Sequence, residues 1–143
     1  MSDDRPVLNQ VNLVVRDMDA MVEFYRRLGA EIAPTVPPWD QHHRTVWTPE
    51  GLGLDLDSPA FATQWDQGWP AGHAGAVIGF GVERRETVDA IYAGLTNGGY
   101  VGRQPPYDAF WGARYAVIVD PDGNSVGIMS AVDPTRTCAP PTP

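Results

Sequence analysis

With a single cysteine, Cys138, in 143 residues, the chain can close no disulfide of its own and build no cysteine-based metal centre. Basic residues are also scarce, ten Lys and Arg against eighteen Asp and Glu, for a formal charge of −8. That balance excludes the basic face a nucleic-acid partner requires, and it is compatible with a cationic ligand or simply with solubility. No run approaches the roughly 18 apolar residues of a membrane helix. The opening MSDDRP is acidic and polar, unlike a secretory signal, so the expected location is cytoplasmic. Phosphate loops, dinucleotide fingerprints and triad spacings are absent too.

What is present is 43% apolar residues, enough for one domain or for two small similar halves sharing a core. Laying the chain against itself favours the halves. Val11, Leu13 and Val15 alternate, and Met21, Phe24, Tyr25 and Leu28 follow at helical spacing. Shifted by 67 residues, Ile78, Phe80 and Val82 alternate, and Val88, Ile91, Tyr92 and Leu95 follow. Further on the shift becomes 72, and "PEGLGLDLDS" at 49–58 lies over "PDGNSVGIMS" at 121–130. Asp17 is a natural N-cap and Gly29 a natural stop for the first helix. Further strands are expected at 30–33, 45–48, 52–57, 99–104, 111–119 and 125–129. The predicted fold is α+β: two tandem βαβββ modules, 1–57 and 76–130, forming cup-shaped mixed sheets with helices on the outer face. Between them lies a linker, 58–75, and after them a tail, 131–143, whose four prolines predict an extended or mobile segment.

Tandem βαβββ halves, "VNLVVRDMDAMVEFYRRLG" in the first and "YAVIVDPDGNSVGIMS" closing the second, resemble the vicinal oxygen chelate superfamily of glyoxalases, extradiol dioxygenases and antibiotic resistance proteins. The resemblance covers nearly all of the chain to Ser130. It implies a metal held by one residue from the first and one from the last strand of each half, usually His or Gln and Glu. Those places are held here by Gln10, Asp55, Val77 and Gly127, two of which have no donor atom, and none of His42, His43 and His73 falls at such a place. A catalytic divalent ion needs about three protein ligands, so neither a metal nor another cofactor is expected.

Strand parity says what replaces it. Val11, Leu13 and Val15 face the helix, which sends Gln10, Asn12 and Val14 into the cup. Gly53, Asp55, Asp57, Val77, Gly79, Gly81, Ser125, Gly127 and Met129 follow by the same rule. Aligning the third strand with the seventh adds His43, Thr45 and Trp47 opposite Tyr115, Val117 and Val119. The glycines predict an empty floor. The tryptophans, Trp39, Trp47, Trp65, Trp69 and Trp111, all lie outside the two helices, and with Tyr107 and Phe110 they predict aromatic walls. The expected ligand is a large, aromatic small molecule, a cation being received by Asp55 or Asp57.

Two functions compete. One is a metal-independent binding protein that sequesters an antibiotic or other natural product, similar to the bleomycin-resistance branch, whose resemblance implies a homodimer with pockets built by both chains. The other is a metal-independent isomerase, lyase or biosynthetic enzyme with a carboxylate base, Asp55 paired with His43 or Tyr115.

Overall fold

The alternation around Gln10 builds β1 (Val7–Val14) in the computed structural model, which describes residues 4–49 and 51–141. Glu50, in the turn at 49–58, and the last two residues of the tail lie outside that set. α1 (Met18–Leu28) starts where the Asp17 carboxylate accepts the Ala20 N–H at 3.0 Å. It stops at Gly29, whose φ of 108° sits in the left-handed region that a side chain disfavours. β2 (Glu31–Ile32), a single 3-10 turn (Trp39–Gln41), β3 (His43–Trp47) and β4 (Gly53–Asp57) complete the first module.

The second module repeats it with β5 (Gly75–Val82), α3 (Arg85–Asn97), β6 (Val101–Asp108), β7 (Arg114–Val119) and β8 (Ser125–Ser130). All eight strands form one mixed sheet in the order β2-β3-β4-β1-β5-β8-β7-β6. In each module the first strand lies parallel to the last, and the modules join where β1 runs antiparallel to β5. That seam is the midline of the cup.

The outer face holds two cores. Val15, Met18, Val22, Ile32, Val46 and Leu56 pack under α1, and Val82, Val88, Ala116 and Ile128 under α3. Burying each such Val, Leu or Ile contributes about 1.5–3 kcal/mol, so these faces fix which side chains turn inward. The inner face carries a third cluster, in which Phe61, Trp65 and Trp69 pack on Val14, Val77, Tyr115 and Val117.

Three features depart from the expected outline. The 58–75 segment contains α2 (Pro59–Trp65), capped by Ser58 Oγ, which accepts the Phe61 N–H at 3.0 Å. Seven residues give too short a period for sequence pattern to reveal it. β7 begins at Arg114 because residues 109–113 close a tight turn, with the Ala109 N–H donating to Ala113 O and Gly112 at φ 94°. Residues 131–141 of the tail hold one 3-10 turn (Pro134–Arg136) and no other helix or strand, and the segment is fastened: the Asp133 N–H donates to Gly112 O at 3.0 Å and the Cys138 N–H to Phe110 O at 2.9 Å. Among the described residues no helix is long and apolar enough to cross a membrane.

Candidate functional site

The inner face encloses a cavity of about 460 Å³ with a polar wall from the first module and an aromatic wall opposite. Both modules of one chain supply its lining.

The polar wall is set by register. β3 pairs antiparallel with β4 so that His43 lies opposite Asp57 and Thr45 opposite Asp55. β1 runs parallel on the other side of β4, placing Asn12 opposite Asp55. The side chains then lock: Asp57, 1% exposed, meets His43 Nδ1 at 2.6 Å and accepts the Asn12 amide at 2.9 Å. Gln10 donates to Asp55 and to Asn12 Oδ1, each at 2.9 Å. A bulge between Leu8 and Gln10 turns Asn9 to the same face.

Burial raises the Asp55 carboxyl above its ordinary value, and the charge on Asp57 adds to the rise against the pull of His43 and Thr45. Burial alone would lower the His43 imidazole. Its hydrogen bond to Asp57, with the charges of Asp57 and Asp55, outweighs that and leaves it above the usual histidine range.

The aromatic wall comes from the 3-10 turn at Trp39, α2, the turn at 109–113 and β7. Phe61 meets Trp39 edge to face at 5.1 Å, and Trp111 meets Tyr115 at 5.8 Å. The Trp111 indole N–H donates to Met129 Sδ at 3.3 Å. Burial pushes the Tyr115 phenol well above its ordinary value, so the ring is a neutral wall element. α2 is held over the cup by a buried ion pair: Arg103 Nε donates to Asp66, 0% exposed, at 2.7 Å. Beside it the Gln67 N–H donates to Gln104 Oε1 at 2.9 Å.

The glycine floor differs from expectation. A Cβ on Gly127 would lie 2.6 Å from Tyr115 Oη, one on Gly79 3.0 Å from Gln10 Cβ, and one on Gly81 2.3 Å from Asn9 Nδ2. These glycines make room for neighbouring side chains that lie flat across them, and the free volume sits above those side chains.

Of the residues singled out from sequence, Gln10, Asn12, His43 and Asp55 line the polar side. Trp39, Trp65, Phe110, Trp111 and Tyr115 line the aromatic side, and Gly127 and Met129 reach the cavity from β8. Three of the aromatic candidates do not line it. Trp47 is 60% exposed at the sheet edge, because its inward parity falls beyond the cup, where β3 pairs with β2 at Glu31. Trp69 turns into its own loop, its indole donating to His73 O at 2.9 Å. Tyr107 stands behind the wall with its hydroxyl donating to Trp65 O. Of the expected acid–base group, Asp55 and His43 lie close enough to interact by charge, while the β3–β4 register bonds His43 to Asp57 and Asp55 accepts from Gln10. Tyr115 Oη sits over Gly127.

The sequence reading missed Asn9, Thr35, Phe61 and Pro140, which also line the cavity. Phe61 lies four residues before Trp65, a helical spacing that carried the signal. The Asn9 bulge and the tail contact of Pro140 left none.

These residues do not fit the metal site that the fold family implies. Val77 is fully buried in the inner cluster, the space beside Gly127 is taken by Tyr115, and Gln10 turns its amide nitrogen to Asp55. Among the described residues no three His, Cys, Asp or Glu side chains are grouped to hold an ion.

Residues 7–128 match the family model described as Glyoxalase/Bleomycin resistance protein/Dioxygenase superfamily. No curated protein matches the chain. Among solved structures, an NAD-dependent benzaldehyde dehydrogenase from Legionella pneumophila aligns at TM-score 0.63 and 24% identity, over 85% of this chain and 97% of that one. The Mn(II)-bound glyoxalase from Novosphingobium aromaticivorans aligns at 0.61 and 20%, over 87% of this chain but 38% of that one. Methylmalonyl-CoA epimerase from Mycobacterium tuberculosis aligns at 0.59 and 18%, over 93% of both chains. At these identities the likeness is one of fold.

Proposed function

The chain belongs to the Glyoxalase/Bleomycin resistance protein/Dioxygenase superfamily, and on that premise we propose that it is a metal-independent binding protein for a compact aromatic small molecule, neutral or cationic. Aromatic natural products, antibiotics among them, are the ligand class. The observation that carries this reading is the divided cavity, aromatic on one side and lined by Asn, Gln, Asp and His on the other. Its volume of about 460 Å³ is at the lower end of the 300–1,000 Å³ usual for ligand pockets, which favours a guest of two or three fused rings over a larger antibiotic.

Charge narrows the class further. The chain has no lysine, and among the described residues no arginine lines the cavity, whereas Asp55 and Asp57 do. A carboxylate or phosphate guest would meet two acids with only His43 to offset them, while an ammonium group could be received by Asp55 and the indole faces. Titration with three guests of one shape tests this: 2-naphthylmethylammonium, 2-naphthylmethanol and 2-naphthoate, followed by tryptophan fluorescence. The amine should bind at least as tightly as the alcohol, and the carboxylate at least tenfold more weakly. Equal affinity for all three, or no quenching by any, would count against the reading. An enzymatic reading is favoured by one observation, the His43–Asp57 contact.

A further inference from the structure

We propose that His43 and Asp57 form a proton-transfer pair, with which the cup removes an acidic C–H proton from its guest without a metal. The inference rests on the reading of the cavity as an aromatic guest site, and adds chemistry to it.

The geometry is that of a base with a partner fixed behind it. Asp57 is 1% exposed and accepts from His43 Nδ1 at 2.6 Å, while its second oxygen is held by Asn12 at 2.9 Å. A carboxylate bound on both oxygens cannot swing away, and by accepting the Nδ1 proton it leaves the lone pair of neutral His43 on Nε2. The imidazole side chain remains 36% exposed and lines the cavity, with Phe61 edge-on at 5.5 Å. Nε2 lies 3.4 Å from the Thr45 hydroxyl. When Nε2 takes a proton, the charge that forms is met by Asp57, so the pair stabilises the product of transfer inside a largely apolar cavity.

The groups facing His43 are few. β4 contributes Asp55 and Asp57, β3 Thr45 and α2 Phe61, so both charged neighbours are carboxylates. Both favour the imidazolium, so the base form appears only as pH rises through a value above that of free histidine.

The probe is 5-nitrobenzisoxazole, a planar bicycle of suitable size. His43 Nε2 takes its C3 proton, the C3–H electron pair becomes the third bond of a nitrile, and the N–O bond breaks with its pair on oxygen. The product is 2-cyano-4-nitrophenolate, and the imidazolium returns its proton to water. The native protein should quench with the probe and open it faster than buffer does. His43→Gln should lower the opening rate by about 100-fold or more while the quenching midpoint moves less than twofold, and imidazole in solution should restore part of the rate to His43→Ala. Asp57→Asn should lower the rate and move the inflection of its pH profile downward, which a purely structural role would not do. Trp47→Ala serves as the unchanged control. Quenching without opening, or opening that survives His43→Gln, overturns the pair and leaves the guest site standing. Absence of quenching overturns the guest site and the pair with it.

Discussion

On the inner face of the sheet the first module presents Gln10, Asn12, His43, Asp55 and Asp57, and the second presents at the matching repeat positions Val77, Gly79, Tyr115, Gly127 and Met129. The outer faces show no such divergence: Leu13 and Phe80, Leu54 and Val126, Leu56 and Ile128 do the same work under their helices. The two modules therefore share an apolar outside, where burial holds each together, while their inner positions differ, polar in the first and mostly apolar in the second. With donor side chains in one half only, the site does not suit a metal shared between the halves, but it has two chemically distinct sides for an amphiphilic guest.

The largest effects are expected where the aromatic wall is tied down. Arg103→Ala leaves Asp66 buried without its cation, and should cost about 3 kcal/mol or more in chemical denaturation and abolish guest quenching as α2 loosens. Gly127→Ala puts a methyl group 2.6 Å from Tyr115 Oη, so it should cost about 2 kcal/mol and weaken guest binding. Trp111→Ala removes guest contact from the cavity wall and should lower affinity for 2-naphthylmethanol about tenfold in a calorimetric titration.

Asp55→Asn sharpens the contrast in the other direction, since it neutralises the polar wall where burial already disfavours charge. Because the folded-state pKa of Asp55 is raised, the native chain holds the full contribution of this group below the ordinary carboxylate pKa and loses it as pH rises through the raised value. The variant should therefore be more stable than the native chain at neutral pH, by under about 1 kcal/mol, with the gain fading as pH falls. Preference for the naphthyl amine over the alcohol should fall with it. Trp47→Ala, at the exposed edge, should change stability by less than about 0.5 kcal/mol and affinity not at all.

Much of this was legible in the chain because period and parity follow from backbone geometry alone. The 67- and 72-residue shifts revealed the modules, and alternation placed Gln10, Asn12, Asp55 and Asp57 on the inner face. Pairing was less accessible. Without knowing which residues of β3 and β4 stand opposite each other, His43 could not be matched to Asp57, and inward parity alone put Trp47 in a cup that ends before it. The glycines misled for a related reason: a missing Cβ shows room but not its occupant, and Tyr115, Gln10 and Asn9 fill it from elsewhere in the sequence. The tail's hydrogen bonds to Phe110 and Gly112 are backbone contacts that composition does not encode.

The measurement that bears most directly on a metal-free, two-walled cup is a tryptophan-fluorescence titration with 2-naphthylmethylammonium, run on protein before and after exhaustive chelation. The midpoint should be the same in both. Binding that disappears on chelation and returns with an added divalent ion would contradict it.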